Sequence, residues 1–445
     1  MIRRISQTGD VTVRPLSAVR KYVNDDTDAL VAAQQLNVEA VLEGSIQRTS
    51  DRIRASVNLL RVSDGTSIWS DNFDMPTADI FKIQDEVAQQ VVSKLRLKLD
   101  TAQQELLTKR ATSDPVAYEF YVKGIYSLDL LIANGFSEKD VAQAEATAEL
   151  FKHAIAADPN YALAHAQLAI AYSHTAMFIQ PNDPAWVSRT RQEIATAQSL
   201  DPELAETRIA RSLLLWSSHE GWQTDDAIRE LRAAQQINPN VGHDALALLY
   251  QHAGLEDLAA AEMQRALQID PTSESVRRLF VDMADIVGKF DEGLAASQRF
   301  FGDNTPGPFY YIANQRLDEA QKAIQELSIK DPDNAYLPQE RALLFASQKN
   351  FRAAEAEIPM ILSKMPLNNP AYHHATFRIA CIYALEGKQA EAIKWLKETA
   401  TTGFPCYPLF ARAHSLDGIR GDPAFIDFMT EQKSSYDRRA IEFGR

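Results

Sequence analysis

Ala380-Cys381-Ile382-Tyr383-Ala384-Leu385-Glu386-Gly387-Lys388-Gln389-Ala390-Glu391-Ala392-Ile393-Lys394-Trp395-Leu396 is the stretch that decides the fold. The small Ala380 is followed one turn on by Tyr383, Gly387 breaks the run, and Ala392 and Leu396 set a small and a large residue in a second run. Apolar residues at three- and four-residue steps on both sides of a glycine predict two amphipathic helices joined by a tight turn. Small residues let the paired helices approach, and the large ones fill the gap between them. The preceding unit has the same design, with Ala342 and Phe345 in a first helix and Ala354 and Ile358 in a second.

Upstream, proline follows an acid or amide at the end of one amphipathic run after another: Asp158-Pro159, Asp201-Pro202, Asn238-Pro239, Asp270-Pro271 and Asp331-Pro332, with Pro366 continuing the series. These prolines lie 43, 37, 32, 61 and 34 residues apart, so a unit near 34 recurs with insertions and the long interval holds two compressed units. A unit of this size cannot bury its apolar face alone, so neighbours must stack.

The first hundred residues follow another period. Val11–Arg14, Ala40–Arg48, Arg52–Arg61 and Ser67–Asp74 are strand-like, and Ile53, Ala55, Val57 and Leu59 alternate with Arg52, Arg54, Ser56 and Asn58 as in a strand with one wet face. Thr49-Ser50-Asp51 and Ser63-Asp64-Gly65-Thr66 are turn chemistry, so residues 40–74 are expected to form an antiparallel meander. Thr27-Asp28 is placed to cap a helix through about Leu36. A longer helix follows from Asp79, with Ile80, Ile83, Val87, Val91 and Leu95 on one face. Residues 100–116 are expected to be a linker ending in the helix cap Ser113-Asp114. The predicted architecture is an α+β domain over residues 1–99, an all-α repeat array over 117–402 and a helical cap over 403–445.

Hydrophobic residues make up 45% and charged residues 24% of the chain, which excludes wholesale disorder. The net charge is −14, with the acid excess after residue 100, and that field opposes phosphate backbones. The longest apolar run, Ile379–Leu385, is far below the ~18 residues of a bilayer crossing. Cys381 and Cys406 are too few for a disulfide framework or a structural zinc site.

His243, Ala247, Tyr250, Gly254, Ala259, Ala266 and Pro271 resemble the tetratricopeptide repeat skeleton, as do Phe151, Ala154, Pro159, Leu168, Ala169 and Tyr172. Arg211 replaces a usual leucine, and Asp282–Phe301 and the short helix expected over Pro306–Gln315 depart from the pattern, implying a distorted superhelix near residues 280–330. The first hundred residues resemble the TolB-like domain that precedes such repeats in bacterial signalling proteins, through Leu36–Ser45, Ser67–Asp74 and Asp79–Glu86. Leu416–Phe425 resembles the segment that closes their repeat arrays. The resemblance implies the carboxy-terminal part of a regulator whose output domain is a winged helix, a nucleotide cyclase or a kinase. It also implies a strand and helix before Val11–Arg14, so the domain is expected to be truncated at its start and to self-associate through the edge left open.

No glycine-rich phosphate loop, G-x-S-x-G elbow, H-E-x-x-H helix or kinase signature is present, so neither a catalytic residue nor a cofactor is assigned. His373-His374 is set aside as a metal pair because neighbouring helical residues point about 100° apart and no third donor is near in sequence. His165 and His243 are expected to be interhelical packing residues, Trp69 an anchor between sheet and helix, Glu43-Gly44 a bulge or a site of close backbone approach, and Cys381 a buried free thiol. In stacked helix pairs the first helices line a groove. Leu163, Ala166, Ile170 and Ser173 in one unit, and Tyr372, Arg378 and Cys381 near the end, are therefore the candidate contacts for a protein or peptide partner. The chain is expected to be a non-enzymatic interaction and sensory module that binds no nucleic acid directly. Its expected compartment is the cytoplasm, or the periplasm if a membrane helix lies upstream.

Overall fold

The computed structural model describes residues 2–9, 11–22, 27–76, 80–97, 99–133 and 138–444. Its amino-terminal part holds helices α1 (Ile2–Gln7), α2 (Leu16–Val19) and α3 (Ala29–Gln35), strands β1 (Ala40–Arg48), β2 (Arg52–Arg61) and β3 (Ser67–Pro76), and helices α4 (Ile80–Lys94) and α5 (Thr101–Thr108). The strands form an antiparallel meander in the order β1-β2-β3. Ile53, Ala55 and Phe73 are buried against Ile83, Val87 and Val91 of α4, Leu59 is buried as well, and Arg52 and Arg54 pair with Asp74 at 2.8 and 3.0 Å on the wet face. Asp28 caps α3 by accepting from the amides of Leu30 and Val31, as its place in the sequence predicts. Asp79, expected to open α4, lies outside the described residues.

Two expectations are corrected here. Residues 11–14 form no strand, and the described sheet is bounded by β1 and β3. The Arg14 guanidinium instead donates to the carbonyls of Leu36, Asn37 and Ile269, which pins the segment between α3 and the repeats. The expected linker contains α5, where Asp100 and Gln103 cap each other's amides reciprocally. Asp114 then accepts from the amides of Val116 and Ala117 at the start of the repeats.

The array consists of helix pairs, eight among the described residues: α6 (Pro115–Ala133) with α7 (Val141–Ala157), α8 (Ala162–His174) with α9 (Pro184–Leu200), α10 (Ala205–Leu215) with α11 (Thr224–Ile237), α12 (His243–His252) with α13 (Glu256–Ile269), α14 (Glu274–Ile286) with α15 (Phe290–Phe301), α16 (Pro308–Ala313) with α17 (Leu317–Lys330), α18 (Leu337–Ser347) with α19 (Phe351–Lys364), and α20 (Tyr372–Glu386) with α21 (Gln389–Thr401). The 61-residue interval holds two units, α14/α15 and the short α16/α17. Helices α22 (Tyr407–Arg412) and α23 (Pro423–Phe443) close the chain.

This end does not project away from the array. Arg439 pairs with Asp225 at 2.5 Å, Arg229 with Glu442 at 2.7 Å and Arg412 with Glu256 at 2.7 Å, while Phe443 joins Leu231, Tyr250 and Met263 in one core. The last helices are thereby folded back onto the middle pairs.

Candidate functional site

Packing covers most of the expected groove. Leu163 and Ala166 are buried with Tyr161, Ala197 and Leu204, and Ile170 with Trp186 and Ala210. Ser173 donates to the carbonyl of Ala169, Tyr372 donates to Glu398 at 3.0 Å, and Cys381 is sealed in the carboxy-terminal core. Arg378 alone of the seven keeps partial exposure. The first-helix repeat positions that singled these residues out report the inner side of a helix pair, and adjoining pairs cover that side.

Around Arg378 the first helices of four successive pairs bring together three acids, an aromatic ring and the guanidinium: Asp282 and Asp285 from α14, Phe309 from α16, Glu340 from α18 and Arg378 from α20. The guanidinium lies 4.1 Å from the centre of the Phe309 ring, a cation–π arrangement. Glu340 is 5% exposed and its Oε2 has no hydrogen-bond partner. Burial pushes its carboxyl up to about 7, with Arg378 opposing the rise. Burial also raises Asp285 to about 6, aided by the Asp282 charge and opposed by Arg378. Asp285 and Glu340 share the Arg378 guanidinium, and Asp282, opposed by Arg278, adds its charge beside Asp285, so a second cation is attractive in this half-dry site. Sequence reasoning found Arg378 from its repeat position. Glu340 and Asp285 carried no local signal, because their proximity requires three helix pairs to stack.

The remaining candidates resolve individually. His165 contacts Glu193 at 2.6 Å and the Pro159 carbonyl at 3.3 Å, and His243 contacts Glu262 at 2.6 Å and the Pro239 carbonyl at 2.8 Å, so both are satisfied interhelical histidines. Trp69 packs on the core between sheet and α4. Both cysteines are free and buried, and burial raises Cys381 and takes Cys406 up to about 12, which suits inert thiols. A cleft of about 940 Å³ runs between α5 and α8 to α11, but its cations are engaged: Arg3 with Glu206, Lys109 with Asp201, Arg110 with Asp85 and Arg208 with Glu230. It is an ion-paired seam between the amino-terminal part and the repeats. His373 and His374 do acquire a third histidine, His252 of α12, which the sequence places 121 residues away and the fold-back brings alongside.

No family model matches the chain. A 170-residue stretch is 29% identical to “Putative adenylate cyclase 3” of Rhizobium meliloti, covering 38% of this chain and 28% of that protein's length. Among solved structures, a tetratricopeptide repeat protein from Parabacteroides merdae aligns at 15% identity and TM-score 0.30, over 68% of this chain and 99% of its own. Yeast Tom70 aligns at 13% identity and TM-score 0.31, over 81% of this chain and 94% of its own. At such scores the architecture rests on the helix pairing described above.

Proposed function

We propose that the chain is a non-enzymatic protein-interaction module that takes a basic peptide segment of its partner on the face formed by Asp282, Asp285, Glu340 and Arg378. The observation that carries this reading is the buried Glu340 carboxyl with an unpartnered oxygen, which shares Arg378 with a second raised carboxyl, Asp285. A lysine or arginine entering the face would restore charge balance, and the net charge of −14 would speed the encounter. The same charge disfavours direct binding to DNA.

The setting we favour is a bacterial regulator, in which this chain controls a neighbouring output domain. The likeness to “Putative adenylate cyclase 3” supports a nucleotide cyclase as that output. A winged-helix transcriptional regulator and a freestanding scaffold are the alternatives. In the first two cases the repeats would perform no chemistry themselves.

Fluorescence anisotropy with a labelled Arg/Ala peptide and its Glu/Ala counterpart tests the reading. The Arg peptide is expected to bind with marked salt dependence, and the double substitution Glu340→Gln/Asp285→Asn to weaken it by at least about tenfold. Equal binding of the two peptides, or no effect of the substitutions, would remove the acidic face from the function.

A further inference from the structure

We infer that His252, His373 and His374 form a binding site for a zinc-class transition-metal cation, a site that adjoins the peptide face at Arg378 but draws its donors from other residues. One ring nitrogen from each residue lies within 4.8 Å of the other two, a grouping of donors drawn from α12 and α20.

The orientation of the rings is set by backbone carbonyls. His252 Nδ1 donates to the Leu248 carbonyl at 2.8 Å, and His373 Nδ1 donates to the Thr402 carbonyl at 2.7 Å. A carbonyl oxygen only accepts, so these bonds fix the protons on Nδ1 and leave lone pairs on Nε2. Backbone support of the distal nitrogen is the usual means of aiming an imidazole at a metal. His373 is fully buried, and its Nε2 has no hydrogen-bond partner. An unused buried acceptor beside two further imidazoles is costly unless something occupies the space between them.

One spacing and the donor chemistry point to the ligand class. His252 Nε2 and His374 Nε2 are 3.3 Å apart. Nitrogens bound at about 2.0–2.1 Å to a tetrahedral zinc ion stand about 3.3–3.4 Å from each other. Three imidazoles without a carboxylate suit zinc and its neighbours in the first transition row, and are a poor set for calcium or magnesium. Burial lowers all three histidines, with His252 near 4, so the donors are unprotonated at neutral pH. The rings of Trp216, Trp222 and Phe404 wall the cluster at centroid distances of 4.9 Å from His252, 5.3 Å from His373 and 5.0 Å from His374 respectively. Arg378 faces His374 and opposes added positive charge. A water in the fourth position of zinc loses its proton near pH 7, which halves the charge to be accommodated. Because His252 belongs to a middle pair and His373 and His374 to the last, the cation would clamp the fold-back of the array.

The test uses the untagged full chain, stripped with chelator and titrated with Zn²⁺, with Mg²⁺ as the control cation. One zinc per chain is expected, with a melting temperature that climbs with free zinc and does not respond to magnesium. Co²⁺ should give the visible bands of a four-coordinate site. His374→Gln, at the partly exposed member, and His252→Gln should each weaken zinc at least tenfold while retaining the helical circular dichroism of the parent. Should His252→Gln fail to fold, His374→Gln and the cobalt spectrum of the parent decide the matter. Zinc bound equally by parent and variants, absence of a melting shift, or a six-coordinate cobalt spectrum would overturn the site and leave His252 and His374 joined by an N–H···N bond beside His373.

Discussion

Arg3 and Glu206, 203 residues apart, form an ion pair of 2.8 Å that fastens α1 to the start of α10. Burial disfavours the Arg3 cation, but the charge and hydrogen bond of Glu206 outweigh it and hold the guanidinium above its ordinary range. Neighbouring bonds extend the seam: Asn240 Nδ2 donates to the Ser6 carbonyl at 2.9 Å, and Ser17 Oγ bonds Asp270 at 3.1 Å. The amino-terminal segment thus runs across the junctions between successive helix pairs, meeting Glu206 in the first turn of α10 and Asn238, Asn240 and Asp270 in the turns that follow α11 and α13.

Glu206→Gln should loosen this seam. The Arg3 side chain keeps 28% exposure against 9% for Glu206, so solvent recovers part of the lost pairing and the expected cost is about 1–3 kcal/mol. Hydrogen exchange should quicken first over residues 2–9 and 11–20. Unchanged exchange there would show that the ion pair does not fasten the segment.

Glu340→Gln should stabilise the protein in alkaline but not acidic buffer. The folded carboxyl titrates near 7, above its ordinary 4.5, so the folded state holds a proton that the unfolded state releases. Stability from this group is therefore complete below about pH 4.5 and is lost as pH rises through 7. At pH 8 the loss approaches about 3 kcal/mol at 1.36 kcal/mol per unit, and glutamine abolishes it. Arg378 faces this carboxyl and also Asp285, while Asp282 lies against Asp285 and is opposed by Arg278, and the two aspartates share the sign of the effect. Melting curves of parent and variant at pH 5 and pH 8 check this; an equal difference at both would contradict it.

Ala380→Leu should overpack the last helix pair. Ala380 is fully buried in the core it shares with Ala392 and Leu396, so the added carbons force shifts costing about 1–3 kcal/mol. A thermal transition at the parent temperature would argue against close approach of α20 and α21.

Gly44→Ala should destabilise the sheet and spare the repeats. Gly44 pairs with Val57 in regular register, and a Cβ there would strike the backbone carbonyl of Ser56, which belongs to β2 and cannot turn aside. The expected cost is about 1–3 kcal/mol. Faster exchange confined to β1 and β2 is the signature, and equal loss of protection in α18 to α21 would contradict it.

Local pattern was enough for much of the chain. The alternation through Ile53, Ala55 and Leu59 placed β2, the turns after Arg48 and Arg61 placed its partners, and the small-aromatic-glycine spacing of Ala380, Tyr383 and Gly387 placed the helix pairs. These features are short-range: a strand's period, a helix's period and a turn residue each act within a few positions. Val11–Arg14 has a strand-like pattern but forms no strand, because Arg14 is held by distant carbonyls at Leu36, Asn37 and Ile269, which no period encodes. The groove was legible as a set of inward positions, yet whether those positions face solvent depends on how far each pair rotates against the next. That rotation buries Leu163, Ala166, Ile170, Ser173, Tyr372 and Cys381 and leaves Arg378 partly open beside Glu340 and Asp285. His252 joins His373 and His374 for the same reason, since only the return of the last helices onto the middle pairs closes the distance of 121 residues. The sequence by itself determined the elements and their pairing, because those follow from neighbours along the chain, while tertiary structure decided exposure and the meeting of charges, because those follow from small rotations summed over many stacked units.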